Sequence, residues 1–374
     1  MRIAVNTRLL LPGRLDGIGW FTAETLRRIV SQHPEHQFFF FFDRKPAPEF
    51  LFADNVTPVV LFPQARHPLL WMLFFEWSTR RALKRLKIDL YLSPDGFMPL
   101  HTAVPTLNVI HDLNFEHAAG NLKASHQWYM HRYCPRFAQR ATRLATVSEY
   151  SKKDIVATYH LNASKVDVVY DGAHADYRPH SEEEKQVIRQ RYTAGCPYII
   201  FVSTIIKRKN LANLLLAFDS VKDRFPDNLK LLVVGSRVWW QDELKAAYDG
   251  MRHKDDVLFP GRVESTDLAA LLSAAEMLVY PSFFEGFGIP ILEAMYAETP
   301  VVASSTTSMP EVGGDAALYV DPHSVQSIAE AIISLRDTSL RDTMIARGRQ
   351  QRTRYSWDRT AALLWESMKK TVKG

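Results

Sequence analysis

Two glutamates, Glu285 and Glu293, flank a glycine-bearing turn in the stretch Tyr280-Pro281-Ser282-Phe283-Phe284-Glu285-Gly286-Phe287-Gly288-Ile289-Pro290-Ile291-Leu292-Glu293. Gly286 and Gly288 permit a tight loop with exposed backbone N–H groups, and Pro290 suits the first turn of a helix. Glycine-flanked amides beside a helix N-terminus take a phosphate or diphosphate. A carboxylate at each end of such an anion site suits sugar hydroxyls as a hydrogen-bond acceptor. The same letters also occur as an ordinary loop with a helix-capping glutamate. A second basic group, Lys207-Arg208-Lys209, follows the apolar run Tyr198–Ser203 and precedes a helical pattern from Leu211. That is the place where open α/β sheets bind phosphates, although three basic residues also make a solvated patch. His111 likewise follows the apolar run Thr106–Ile110, where a ligand crevice would lie. The chain contains no GxxxxGK[ST], HExxH, GxSxG or Asp-x-Asp, and Gly17-Ile18-Gly19-Trp20-Phe21-Thr22 lacks the third glycine of a dinucleotide fingerprint.

The elements that must position these residues are short apolar runs alternating with helical-period segments, which predicts α/β layers with parallel sheets. In the first half the strands are Ile3–Val5, Phe38–Phe42, Thr57–Leu61, Leu90–Ser93, Thr106–Ile110, Leu144–Val147 and Val166–Val169, with helices such as Gly19–Ser31 and Glu76–Leu86 between them. In the second they are Tyr198–Ser203, Leu229–Gly235, Val257–Phe259, Met277–Tyr280, Pro300–Ala303 and Ala317–Val320. Tyr177–Arg191 is polar and charged and interrupts the rhythm, so the expected division is a first domain over residues 1–175 and a second over 176–354. Trp357, Leu363, Leu364, Trp365 and Met368 recur at helical spacing in 355–374, a terminal helix expected to cross back to the first domain.

Composition agrees with two globular domains. The 374 residues are 47% hydrophobic and 23% charged, with 16 glycines and 20 prolines, which excludes collagen-like and wholly disordered chains. Two cysteines, Cys134 and Cys196, exclude a disulfide framework and a cysteine zinc cluster and fit a reducing compartment. The N-terminus lacks the apolar stretch of a secretory signal, and the richest apolar run, Leu69 to Phe75, ends at Glu76, so a cytoplasmic protein without a membrane span is expected. Residues 1–175 hold 21 Lys and Arg against 15 Asp and Glu, whereas 176–374 are nearly balanced. Arg80, Arg81, Lys84, Arg85 and Lys87 form a basic cluster just after Trp71–Trp77. It reads either as the solvated back of a core-facing helix or as a peripheral contact with the inner face of an anionic membrane. No recognition motif accompanies the charge, so nucleic acid is not expected as a partner.

From Tyr280 through Glu293 to Pro300–Ser304, Met309–Gly314 and Val320-Asp321-Pro322, the sequence resembles the signature of the large retaining GT-B glycosyltransferase family GT4, whose Glu-x7-Glu motif is met by Glu285 and Glu293. The resemblance extends over nearly the whole chain: to Phe259-Pro260-Gly261-Arg262-Val263, Arg208-Lys209-Asn210, Val109-Ile110-His111-Asp112, Thr146–Ser151, Gly17-Ile18-Gly19 and Ser356-Trp357. It implies a GT-B fold of two doubly wound Rossmann-like domains facing each other across a cleft. The second domain would bind a nucleoside diphosphate sugar and the first an acceptor, with metal-independent transfer that retains anomeric configuration and needs no cofactor beyond the donor. On this resemblance Glu285 contacts the donor sugar, Glu293 the ribose, and Lys209 with Arg208 the diphosphate. His111 lies beside the transferred sugar, and Asp112 orients it or the acceptor. Gly286, Phe287, Gly288, Ile289, Thr204, Arg262 and Val263 complete the donor site, and Gly17 and Gly19 let the first loop approach the diphosphate. Ser203-Thr204 stand where many members carry Gly-Arg or Gly-Thr, so a cation often found there is missing. The variants around His111 and Arg208 are similar to those of bacterial mannosyltransferases of surface polysaccharide and lipopolysaccharide assembly. GDP-mannose is the favoured donor, UDP-sugars come next, and a glycan or lipid-linked hydroxyl is the acceptor. A non-catalytic nucleotide-sugar-binding GT-B protein is the alternative from another class.

Overall fold

The computed structural model describes residues 1–13, 15–117, 124–238, 240 and 242–373. The chain forms two compact units, Met1–Asp171 with Trp357–Gly374 and Gly172–Ser356. The second unit thus starts four residues before the expected boundary at 176, and the terminal segment starts at 357, two residues after 355.

The first unit is built on seven parallel strands: β1 (Arg2–Asn6), β2 (Gln37–Phe42), β3 (Val56–Val60), β4 (Leu90–Ser93), β5 (Thr106–Val109), β6 (Arg143–Thr146) and β7 (Val166–Val168). Their order is β3-β2-β1-β4-β5-β6-β7. The phenylalanines of β2 are all buried, which explains its unbroken apolar run, since helices cover both faces of a parallel sheet. One covering helix is Gly17–Gln32 and another is the chain's last, Trp357–Lys373. In the latter Trp357, Ala361, Leu364, Trp365 and Met368 are buried, a stripe at helical spacing. Trp365 stacks on His33 with ring centroids 3.8 Å apart, and Thr360 donates to the Tyr170 carbonyl at 2.6 Å.

The second unit has six parallel strands: β8 (Tyr198–Val202), β9 (Lys230–Val234), β10 (Val257–Gly261), β11 (Met277–Tyr280), β12 (Val301–Ser304) and β13 (Ala317–Val320). Their order is β10-β9-β8-β11-β12-β13. The direction of winding reverses between β8 and β11, so the crevice for a ligand opens at the carboxyl ends of these two strands. Gly235, just past β9, has φ +142°, and a Cβ there would stand 1.8 Å from the Ser203 carbonyl oxygen; only glycine lets the two strand ends pass this closely. The polar stretch read as an interruption is a helix, Glu182–Thr193. Ser181 caps it reciprocally with Glu184, and Arg189 donates to the Ala274 carbonyl at 2.8 Å. Among the described residues no helix is long and apolar enough to cross a membrane.

Candidate active site

The loop after β11 sits at the switch point and is fixed from several sides. The Asn210 amide donates to the carbonyls of Pro281 and Pro322 at 2.9 and 2.7 Å. Ser304 donates to the Ser282 carbonyl at 2.6 Å, and Ser308 to those of Glu285 and Phe287 at 2.9 Å each. The Glu285 amide donates to the Thr307 hydroxyl at 3.2 Å. At the far end Gly288 has φ +104° and caps the helix Ile289–Tyr296, with Pro290 in its first turn. The loop is therefore rigid before any ligand arrives, as an anion cradle at a helix N-terminus requires.

Glu285 is buried with two cations. Lys209 Nζ donates to its Oε1 at 2.6 Å, and Arg208 Nη1 to its Oε2 at 3.0 Å. Lys209 also donates to the Tyr280 hydroxyl at 2.8 Å and lies 5.2 Å from the centre of that ring. Arg208 further holds the Phe284 carbonyl at 2.8 Å. Burial alone would raise the Glu285 pKa, but Lys209 and Arg208 overcome it and hold the group at about 2. Lys209 is buried in the short 3-10 turn Lys207–Lys209, so the alternative of a solvated basic patch does not hold for it, and Arg208 is partly covered. The cations expected to meet a phosphate thus meet Glu285 here, a carboxylate standing where a second anion could compete.

Glu293 behaves in the opposite way. It is the fifth residue of its helix, deeper than the first turn, and burial pushes its pKa up to about 7, only partly offset by a hydrogen bond from the Tyr177 hydroxyl. Two glutamates of one motif are thus held in different states, one firmly ionised and one titrating near neutrality. Tyr177 and Tyr280 are site residues that the letters alone did not single out. For Tyr280 the available signal is its position as the last residue of a buried strand ending at the loop; for Tyr177 no local signal exists, because its contact with Glu293 spans more than a hundred residues. Gly286, Phe287 and Gly288 are buried in the loop, with Ile289 partly covered, whereas Thr204 and Arg262 are exposed and Val263 is partly covered at the ends of β8 and β10.

In the first unit His111 follows β5, as expected. Its Nε2 lies 2.9 Å from the Pro94 carbonyl oxygen, its ring meets Phe21 edge-on at 5.0 Å, and burial lowers its pKa. A neutral ring therefore donates to Pro94. Asp112 instead accepts from the Asn114 amide at 2.9 Å, so Pro94, and not Asp112, sets the orientation of His111. Gly17 and Gly19 are not in a loop: both belong to the first turn of Gly17–Gln32, and the Gly19 amide is committed to Asp16 Oδ1 at 2.9 Å. The Asp16 side chain caps the helix and draws the helical conformation back over both glycines. At the reversal between β1 and β4, a buried network missed in the sequence joins Arg8 to Asp95 at 2.5 Å and Asn6 to Asp95 at 2.7 Å.

Residues 15–177 match the family model Glycosyltransferase Family 4, and residues 183–351 match Glycosyl transferases group 1. The chain is 32% identical over 357 residues to O-antigen chain mannosyltransferase B of Escherichia coli, covering 92% of this chain and 93% of that one. It is 28% identical to the O-antigen chain mannosyltransferase RfbU of Salmonella typhimurium over 71% of this chain and 70% of that one. Among solved structures the sucrose-phosphate synthase of Thermosynechococcus elongatus superposes with a TM-score of 0.79 at 17% identity, covering 99% of this chain and 98% of that one. The two parallel-sheet units are those of the GT-B architecture, and the chain belongs to glycosyltransferase family 4, the group 1 glycosyl transferases, as an enzyme that takes its sugar from a nucleotide sugar.

Proposed function

We propose that the enzyme transfers mannose from GDP-mannose, with retention of configuration, to a hydroxyl of a glycan or lipid-linked acceptor in surface polysaccharide assembly. The observation that carries the transfer chemistry is the meeting of Arg208, Lys209 and Glu285 at the carboxyl ends of β8 and β11. The choice of mannose rests on the 32% identical mannosyltransferase. The donor diphosphate takes Arg208 and Lys209 from Glu285, which turns to the sugar hydroxyls, while Glu293 accepts from the ribose. The loop residues Gly286 to Ile289, with Thr204, Arg262 and Val263, line the rest of the donor. As the C1–O bond to the diphosphate breaks, charge grows on the leaving group, and the two cations and the helix N-terminus stabilise it. The acceptor oxygen bonds to C1 on the face the diphosphate leaves, and its proton passes to the leaving phosphate. This route needs neither a metal nor a cofactor beyond the donor. The first unit supplies His111 and the acceptor's binding groups. Peripheral attachment to the inner face of an anionic membrane through Arg80, Arg81, Lys84, Arg85 and Lys87 brings the enzyme to a lipid-linked acceptor.

A panel of nucleotide sugars tests the donor: GDP-mannose is expected to give saturable thermal stabilisation and slow hydrolysis, and a preference for a UDP-sugar would replace it with the runner-up. Lys209→Ala is expected to lower kcat on the order of 100-fold, as losing a preorganised oxyanion donor does. An effect confined to KM would refute the leaving-group role.

A further inference from the structure

The winding of the first sheet reverses between β1 and β4, so a ligand crevice is expected at the carboxyl ends of these strands, as it is between β8 and β11. The groups just past those two strand ends are charged and buried. Arg8, two residues beyond β1, and Asp95, two residues beyond β4, form an ion pair 2.5 Å long whose side chains are 8% and 4% exposed. The Arg8 guanidinium lies 4.7 Å from the centre of the Phe97 ring and 5.7 Å from those of Trp71 and Phe75. Stability does not require an ion pair in such a core, because replacing a buried pair by apolar residues of similar volume is often neutral or stabilising. The question is therefore what the pair holds in place.

Asp95 holds the turn that carries it. Its Oδ1 accepts from Asn6 Nδ2 at 2.7 Å and from the Phe97 backbone amide at 3.2 Å, while Oδ2 accepts from Arg8 Nε. No apolar residue could gather these three donors. The Ser93 hydroxyl accepts from Asn6 Nδ2 at 3.2 Å and donates to the Phe97 carbonyl at 2.5 Å, and Asn108 of β5 donates to the Gly96 carbonyl at 3.0 Å. Gly96 takes φ +85° inside the turn, a left-handed conformation that glycine adopts without strain. Residues 93–97 are thus tied to β1 and to β5 at once. Pro94, within this turn, has its φ fixed by its ring, and its carbonyl accepts from His111 Nε2 at 2.9 Å. A neutral imidazole that donates from Nε2 keeps its lone pair at Nδ1, and Nδ1 of His111 has no hydrogen-bond partner among the described residues.

We infer that Arg8 and Asp95 are positioning residues for the glycosyl transfer: through the turn Ser93–Phe97 they hold the Pro94 carbonyl where it fixes His111 as its Nε2–H tautomer, leaving Nδ1 to accept from a sugar hydroxyl. The inference rests on the role given to His111 above. Neither Arg8 nor Asp95 touches the substrate; both are buried, and their effect reaches the reacting groups through one carbonyl. The leverage is large, since a misplacement of about 1 Å in a reacting geometry costs on the order of 100-fold in rate. A network that merely stabilised the first unit would leave the tautomer of His111 indifferent to its loss.

The test uses the full chain with isotope-labelled histidine, read by NMR. In wild type the ring nitrogens of His111, identified by the loss of their signals in His111→Ala, are expected to show the neutral Nε2–H form alone. Asp95→Asn removes the charge that faces Arg8, and the milder Ser93→Ala unties the turn while leaving the ion pair; each is expected to bring in the Nδ1–H form. Hydrolysis of the nucleotide sugar selected by the panel above is measured in parallel, with thermal midpoints to show that each variant is folded at the assay temperature. Asp95→Asn is expected to lower kcat on the order of 10-fold with KM little changed, and Ser93→Ala by less. In the His111→Ala background Asp95→Asn is expected to lower kcat by less than about twofold, because a residue that acts through another is not additive with it. Two outcomes overturn the inference: a His111 that stays wholly in the Nε2–H form in both variants, or a loss of kcat in Asp95→Asn that is equal with and without His111. Should Asp95→Asn fail to fold, Ser93→Ala decides by the same two readouts. A tautomer that shifts as expected while neither His111→Ala nor Asp95→Asn alters kcat would leave the anchoring standing and refute instead the role given to His111 in the reaction.

Discussion

Glu285 and Glu293 share a motif and a loop, yet Glu285 has two cations at hydrogen-bond distance whereas Glu293 has a tyrosine hydroxyl. Linkage turns that difference into a measurement. The native pKa of Glu293, about 7 against an ordinary 4.5, means that the folded state keeps a proton which the unfolded chain releases earlier. Stability from this group is full below pH 4.5 and is lost as pH rises through 7. Glu293→Gln removes the dependence: the variant is expected to match wild type near pH 5 and to exceed it by on the order of 2–3 kcal/mol at pH 8. Glu285 has the reverse sign, for its pKa of about 2 gives stability that is present above 4.5 and lost as pH falls toward 2. Glu285→Gln leaves Lys209 and Arg208 without their carboxylate and is expected to cost on the order of 3–5 kcal/mol at neutral pH. Thermal midpoints of the two variants against pH check both; curves parallel to wild type for Glu293→Gln would refute the raised pKa. The spacing of the two glutamates was legible in the sequence. Their opposite states were not, because the cations that separate them come from another strand end and the burial comes from the whole unit.

At the level of elements the thirteen strands named above were legible: the inner ones are buried on both faces and read as apolar runs, and the edge strands β3 and β10, although Thr57, Pro58, Val60 and Pro260 are exposed, keep enough apolar residues to stand out between helical segments. The helix Glu182–Thr193 was not, since only Ile188 and Thr193 of it are buried and it offers no apolar stripe. Its readable signal was the pair Ser181 and Glu184, a capping box. The π-turn Leu73–Thr79 leaves no pattern in the letters, because buried Phe74 and Phe75 beside exposed Leu73 and Trp77 are what a plain amphipathic helix would also show. The loop Pro281–Gly288 stands between these cases: its glycines are visible, but the left-handed φ of Gly288 and the tether from Ser308 are not. Gly288→Ala is expected to cost on the order of 1–2 kcal/mol, since an L-residue is strained at that φ, and its Cβ would press on Ile291 Cδ1 at 3.2 Å. The strain falls on the first turn of Ile289–Tyr296, so donor affinity is expected to fall with stability. Titration of nucleotide into the variant checks this, and an unchanged affinity would show that the helix start does not shape the donor site.

At the scale of the molecule, sequence order and structural order part company at the end of the chain. Residues 172–356 fold as a unit of their own, and the chain then returns to the first unit with Trp357–Lys373. A terminal segment with alternating apolar and basic residues could be a detachable tail; the burial of Trp357, Leu364, Trp365 and Met368 says that it is core. Each such side chain contributes about 1.5–3 kcal/mol when removed from water. Four of them give on the order of 6–12 kcal/mol, comparable with the whole stability of a domain. The ion pair between Arg28 and Asp358 at 2.6 Å adds little beside this, because Asp358 is exposed. Ending the chain after Ser356 is therefore expected to unfold the first unit while leaving the second, whose loop, Glu285 and Glu293 lie wholly within 172–356. Calorimetry would show the first unit's transition lost and the remaining one still raised by nucleotide. If the shortened chain kept both transitions at their original temperatures, the terminal helix would be an appendage and not part of the first unit's core.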